Sequence, residues 1–135
     1  MKIVVDAYAW VEIFIGSKKG EKVKEKLAEA AEVYTPDIVM AEIARKYLRE
    51  GANQQMISGR LKTITESSDI ASINVDIAFE SARCYMELSE KAKTEGLRTP
   101  SLFDAIVLAT GRVLNAKVIT GDEHFKNLPE TLWIW

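Results

Sequence analysis

The first ten residues, Met1-Lys-Ile-Val-Val-Asp-Ala-Tyr-Ala-Trp10, constrain the fold more than any other stretch of the chain. Ile3, Val4 and Val5 form a β-branched run of the kind found in strands buried on both faces, which occur in parallel sheets covered by helices. Ala7, Trp10, Val11 and Phe14 then recur at helical spacing, so the chain passes directly from strand to helix. Asp6 falls at the strand's carboxyl end. In open parallel sheets ligands bind at that edge, so a carboxylate there is either a helix cap or part of a site.

The same alternation continues. A helix over about Ala7–Ile15 stops near Gly16, and Lys18–Ala31 continues as a charged helix with Val23, Leu27 and Ala30 inward. Val33-Tyr34-Thr35 reads as a second strand. Thr35-Pro36 then supplies a cap and a first-turn proline for a helix from Asp37 to Glu50. Asn53–Ser67 predicts a further helix despite Gly59, and Ile70–Ile73 a third strand. Asn74 or Asp76 caps a long helix ending at Gly96, with Ala78, Ala82, Tyr85, Ser89 and Ala92 toward the core. Ser101 opens a helix through Leu114 that is apolar nearly all round and therefore central. Val118-Ile119-Thr120 and Leu132–Trp135 are the last strands. Strands alternating with helices predict an α/β fold, a three-layer sandwich around a short, mainly parallel sheet, in a single domain over residues 1–135.

Asp122 follows a strand as Asp6 does, and Glu42 and Asp104 lie on helices that begin near the same edge. Each acid also has a plain structural use. Asp6 and Asp122 suit helix caps, Asp104 completes an S-x-x-D capping box with Ser101, and Glu42 lies within reach of Arg45 and Lys46 for an exposed ion pair. Their shared position favours convergence. Two carboxylates about 4 Å apart repel by roughly 4 kcal/mol at an effective dielectric of 20, so four together require cations or protons. An oxygen-only cluster selects a hard ion, Mg²⁺ or Mn²⁺, and such an ion suits phosphodiester hydrolysis by an activated water.

Composition bears on the substrate. Eighteen basic against 20 acidic residues give a net charge of -2, which argues against a nonspecific nucleic-acid coat. Setting aside the four clustered acids leaves 18 against 16, a mildly basic remainder compatible with a polyanion. Lys18, Lys19, Arg45, Lys46, Arg49, Arg98 and Arg112 are available to hold a phosphate backbone, with Arg45, Arg98 and Arg112 the candidates for substrate binding. Cys84 is the only cysteine, which excludes an intrachain disulfide and a cysteine-based zinc site. The single histidine, His124, reads as a surface residue beside Glu123. The absence of a signal-peptide core or an apolar run of about 18 residues predicts a cytoplasmic protein that does not enter a membrane.

Four stretches carry a family resemblance: I-V-V-D-A-Y-A-W-V-E with Asp6, A-E-I-A-R with Glu42, L-F-D-A-I-V-L-A-T-G-R with Asp104, and V-I-T-G-D-E-H-F with Asp122. Together they resemble the PIN domain, specifically the small VapC-type ribonuclease toxins. The resemblance implies a Mg²⁺-dependent or Mn²⁺-dependent endoribonuclease acting on single-stranded RNA. Asp6 and Asp104 would be the direct metal ligands, Glu42 and Asp122 would complete the pocket, and Thr120 would orient Asp122 or a water. It also implies a homodimer and a small antitoxin, with Trp10, Ile13, Phe14 and Ile15 divided between its groove and the core. Tyr8 departs from the pattern, standing where relatives often carry Ser or Thr. Competing expectations are a PIN nuclease of RNA processing or decay, a PIN-fold binding module without catalysis, and a phospho-accepting switch or phosphatase using Asp6. The last is disfavoured because phosphatases of that type want a second Asp where this chain has Tyr8.

Overall fold

A computed structural model describes Met1–Trp135. The chain forms β1 (Lys2–Val5), α1 (Ala7–Ile15), α2 (Lys18–Glu29), β2 (Glu32–Pro36), α3 (Asp37–Arg49), α4 (Gln54–Ser67), β3 (Asp69–Ala71), α5 (Val75–Glu95), α6 (Leu102–Leu114), β4 (Lys117–Thr120) and β5 (Thr131–Trp133). A single 3₁₀ turn, Glu123–Phe125, lies between β4 and β5. The five strands make one sheet in the order β3-β2-β1-β4-β5, and every neighbouring pair is parallel.

That order places the functional edge. The chain steps outward from β1 to β2 and β3, then returns to the opposite side of β1 to add β4 and β5. Right-handed crossovers in two directions put α1–α4 on one face and α5–α6 on the other, giving three layers. The direction of winding reverses between β1 and β4. Their carboxyl ends, Val5 opposite Ile119, therefore flank the crevice where such sheets bind ligands.

Ile3, Val4, Val5, Val118 and Ile119 fill the centre of a 22-residue core. Helix α6 packs between α5 and the sheet, buried continuously from Ala105 to Gly111, as its all-round apolar pattern requires. Helices α1 and α2 meet at Gly20, where a Cβ would stand 2.2 Å from the Glu12 carbonyl oxygen. Only a bare α-carbon allows that approach.

The structure departs from local pattern at two places. Thr35 belongs to β2 as expected but does not cap α3, and Pro36 pairs with Ala71 and stands at the helix's N-cap position rather than in its first turn. The reason is tertiary: the Thr35 hydroxyl accepts from Trp10 Nε1 at 3.1 Å and shares a hydrogen with Ser68 Oγ at 2.7 Å, so it is not free to cap. Along α5 the buried stripe is Ile77, Ser81, Cys84, Leu88 and Ala92, which shares only Ala92 with the stripe that spacing predicts. Ile77 and Leu88 bury more apolar area than the alanines would, which rotates the helix and leaves Val75, Phe79 and Met86 exposed. No helix is long and apolar enough to cross a membrane.

Candidate active site

Asp6 leaves β1 at the crevice and caps α1. Its Oδ1 accepts from Ala7 N at 2.8 Å and its Oδ2 accepts from the Thr120 hydroxyl at 2.7 Å. Thr120, at the end of β4, in turn accepts from Asp122 N at 3.0 Å. One hydroxyl thus ties together the two acidic strand ends, and it is wholly buried. Asp104 forms the expected capping box: its Oδ2 accepts from Ser101 N at 2.9 Å, and Ser101 Oγ accepts from Asp104 N at 3.1 Å. Asp122 Oδ1 accepts from both His124 N and His124 Nδ1 at 2.9 Å. The capping uses and the convergence are therefore both real, because each cap sits at the same edge of the sheet.

The tightest group of donor atoms comes from Asp104, Asp122 and His124, all within 4.8 Å of one another. Asp6 and Glu42 stand just outside it yet share its field. Burial, opposed by the hydrogen bonds from Thr120 and Ala7 and reinforced by Asp122 and Asp104, pushes the Asp6 carboxyl up to about 7. Burial together with the charges of Asp6, Asp104 and Asp122 pushes Glu42 up to about 8, with Arg45 pulling the other way. Asp104 is raised as well, chiefly by burial, against its hydrogen bonds to Ser101. The ion pair expected of Glu42 is absent: Lys46 reaches Glu50 instead, and Arg45 lies over the Phe103 ring. Glu42 is left facing acids. Lys46 is drawn away because Glu50 lies one turn further along the same helix face.

His124 overturns its surface reading, being only 5% exposed. It is drawn inward between Asp122 and the Arg98 carbonyl, which accepts from Nε2 at 2.8 Å. A carbonyl can only accept, so Nε2 carries a hydrogen. Nδ1 faces a carboxylate oxygen, so the doubly protonated imidazolium, which donates from both nitrogens, matches both partners. Burial opposes that charge, but the bonds to Arg98 and Asp122 overcome it and raise the pKa. Neither ring nitrogen is left as a metal donor. The D-x-H spacing in T-G-D-E-H-F is the signal for this contact, since it lets one side chain reach back to the other.

The sequence model of the family described as PIN domain matches residues 3–130. The chain belongs to the PIN-domain family. No curated protein matches it. Solved structures share its fold at low sequence identity. A toxin-antitoxin complex from Klebsiella pneumoniae is 20% identical with a TM-score of 0.70, covering 98% of each chain. VapBC2 from Rickettsia felis, bound to a DNA fragment from its promoter, is 19% identical with a TM-score of 0.70, over 98% of this chain and 97% of the other. Mycobacterium tuberculosis VapC20, described as a sarcin-ricin loop cleaving toxin, is 17% identical with a TM-score of 0.65, over 91% and 92%.

In this PIN domain the donor set suits a hard cation. Asp104 Oδ1, Asp122 Oδ2 and both Glu42 oxygens accept no hydrogen bond from the protein, and negative neighbours crowd them. Asp6, Glu42 and Asp104, which resist ionisation beside one another, are stabilised together by a dication. The basic candidates divide. Arg45 and Arg98 flank the pocket, their charges acting on Glu42 and on Tyr8. Arg112 does not: it pairs with Glu87 and, at 3.0 Å, with Glu130. It lies eight residues beyond Asp104 on α6, about 12 Å along the axis. Tyr8, in sequence only a departure from the family pattern, stands beside the acids. Burial and the charges of Asp122 and Asp6 raise its phenol, which puts it in the field of the cluster.

Proposed function

We propose that this PIN domain is a metal-dependent endoribonuclease that cuts single-stranded RNA and acts as the VapC-type toxin of a toxin-antitoxin pair. The observation carrying the reading is the convergence of carboxylates from four separate elements, β1, α3, α6 and the turn after β4, on one crevice. Family membership and the toxin-antitoxin proteins that share the fold support it.

Asp6, Asp104 and Asp122 are the residues that would hold Mg²⁺ or Mn²⁺, with Glu42 completing the shell. Bound there, such an ion supplies Lewis acidity toward a phosphodiester oxygen and lowers the pKa of a water. The chain's own groups do the rest. Thr120 holds Asp6 and the Asp122 backbone in fixed relation. The His124 imidazolium fixes the Asp122 carboxylate and offsets part of the cluster's negative charge. Glu42, whose two oxygens accept no hydrogen bond from the protein, completes the acidic shell and is free to accept a hydrogen bond from a water there. Arg45 and Arg98 stand where a phosphate backbone would enter, each a cation on the rim of an anionic site.

Partner surfaces fit the same assignment. Ile15 and Leu48 are exposed on the α1–α4 side, available to an apolar antitoxin segment, and Val75, Phe79 and Met86 on α5 form a face for a second copy. The decisive test is cleavage of a labelled single-stranded oligoribonucleotide with Mg²⁺ or Mn²⁺ and with EDTA. Asp104→Asn keeps a cap acceptor and should lower the rate at least about a hundredfold. Equal rates for the variant and the parent would overturn the site. Growth arrest on expression, relieved by a short protein encoded next to the toxin gene, separates a toxin from a PIN nuclease of RNA processing.

A further inference from the structure

Strand β5 runs parallel to β4, with Trp133 opposite Thr120, so the residues after it emerge at the same edge as Asp122. Trp135 lies two residues past that pairing, with its indole seated against Gly121. A Cβ on Gly121 would come within 2.1 to 2.4 Å of three of the indole's six-ring atoms, so the absence of a side chain there is what admits the ring. Tyr8, two residues after Asp6, meets the indole edge to face, centroids 6.3 Å apart and planes at 88°. Tyr8 is 49% exposed. Two ammonium groups accompany the aromatics: Lys19 Nζ lies 5.2 Å from the Trp135 ring centroid and Lys126 Nζ 5.5 Å from that of Trp133.

We infer that Tyr8 and Trp135 form a stacking subsite for one unpaired nucleobase next to the scissile phosphate, with Lys19 taking the adjoining backbone phosphate. An open aromatic face, a right-angled second ring and a cation together match a nucleotide: a flat π-system attached to an anion. A peptide carboxylate could pair with the ammonium, but it brings no flat π-system to the ring face. The subsite also explains Tyr8, since a Ser or Thr at that position could not offer a face. It requires a base free of its duplex partner, so it selects single strands. This inference rests on the nuclease reading for its substrate, but not for its test.

Binding is measured by fluorescence anisotropy of end-labelled RNA with the Asp104→Asn chain in EDTA, using a short oligouridylate, the same oligomer carrying abasic sites, and a duplex RNA. Tyr8→Ala and Trp135→Ala should each weaken oligouridylate binding roughly tenfold, the loss of one base–aromatic stack, while Tyr8→Phe retains it. The abasic oligomer and the duplex should bind the otherwise unchanged chain as weakly as oligouridylate binds Tyr8→Ala, and removing the bases should weaken Tyr8→Ala no further. In the active chain the Tyr8→Ala loss should fall on KM, with kcat within about threefold. Parent-like binding by both alanine variants, or an abasic penalty undiminished in Tyr8→Ala, overturns the subsite. Failure of the nuclease reading would show separately, as absence of cleavage by the parent in Mn²⁺.

Discussion

Replacing Asp6 with Asn should make the metal-free protein more stable at neutral pH, although it removes a buried, doubly hydrogen-bonded group. Asn keeps one acceptor: its Oδ1 can accept from Ala7 N, while its Nδ2 donates to the Thr120 hydroxyl oxygen, so both contacts have a counterpart. What disappears is a charge. Asp6 is 6% exposed and its carboxyl is pushed from 3.8 up to about 7. The folded chain therefore keeps a proton that the unfolded chain releases above about pH 4, and stability falls as pH rises from about 4 to about 7, then levels. A rise of that size corresponds to about 4 kcal/mol, and relaxation around a buried charge reduces this to on the order of 2–4 kcal/mol. The measurement is urea unfolding in EDTA at about pH 4 and about pH 8, repeated with excess Mn²⁺. The variant should match the parent at the lower pH and exceed it at the higher. Manganese at a hundredfold over its Kd should return about 2.7 kcal/mol to the parent and little to Asp6→Asn. A variant less stable than the parent at about pH 8 in EDTA, or one stabilised equally by Mn²⁺, would refute the view that Asp6 is a strained carboxylate awaiting a cation.

Other substitutions probe the supports. Thr120→Val deletes the donor to Asp6 and strands the Asp122 N–H, so it should destabilise by about 1–3 kcal/mol in urea unfolding, with Thr120→Ser restoring the parent value. His124→Leu should cost about 2–3 kcal/mol below about pH 6.5, because the raised imidazolium pKa contributes stability that is complete there and lost as pH climbs through it; the gap between variant and parent should narrow in alkaline unfolding curves. Gly20→Ala would drive a Cβ into the Glu12 carbonyl, which is backbone and cannot swing aside, and thermal melts should show a loss of about 1–3 kcal/mol.

Much of the molecule is legible in local pattern. The Ile3–Val5 and Val118–Thr120 runs, the Gly16 and Gly96 stops and the Asn53, Asn74 and Ser101 caps are short-range physics, and the helices follow them closely. The carboxylates are legible for the same reason, since Asp6 and Asp122 each end a strand whose parallel pairing sends both to one edge. Where distant groups compete for a hydrogen bond or an apolar contact, local pattern fails. Thr35 does not cap α3 because Trp10 and Ser68 claim its hydroxyl, and α5 turns because Ile77 and Leu88 outweigh a stripe of alanines. His124 looks like a surface residue until Arg98, 26 positions earlier, presents a carbonyl to it. Trp135 has no visible role until β5 pairs with β4 and carries it to Gly121. Composition and periodicity determined which segments are strands and helices and which acids end them. Only the folded sheet decided which side chains share a low-dielectric pocket, because that depends on partners far apart in the chain and on how completely they exclude water.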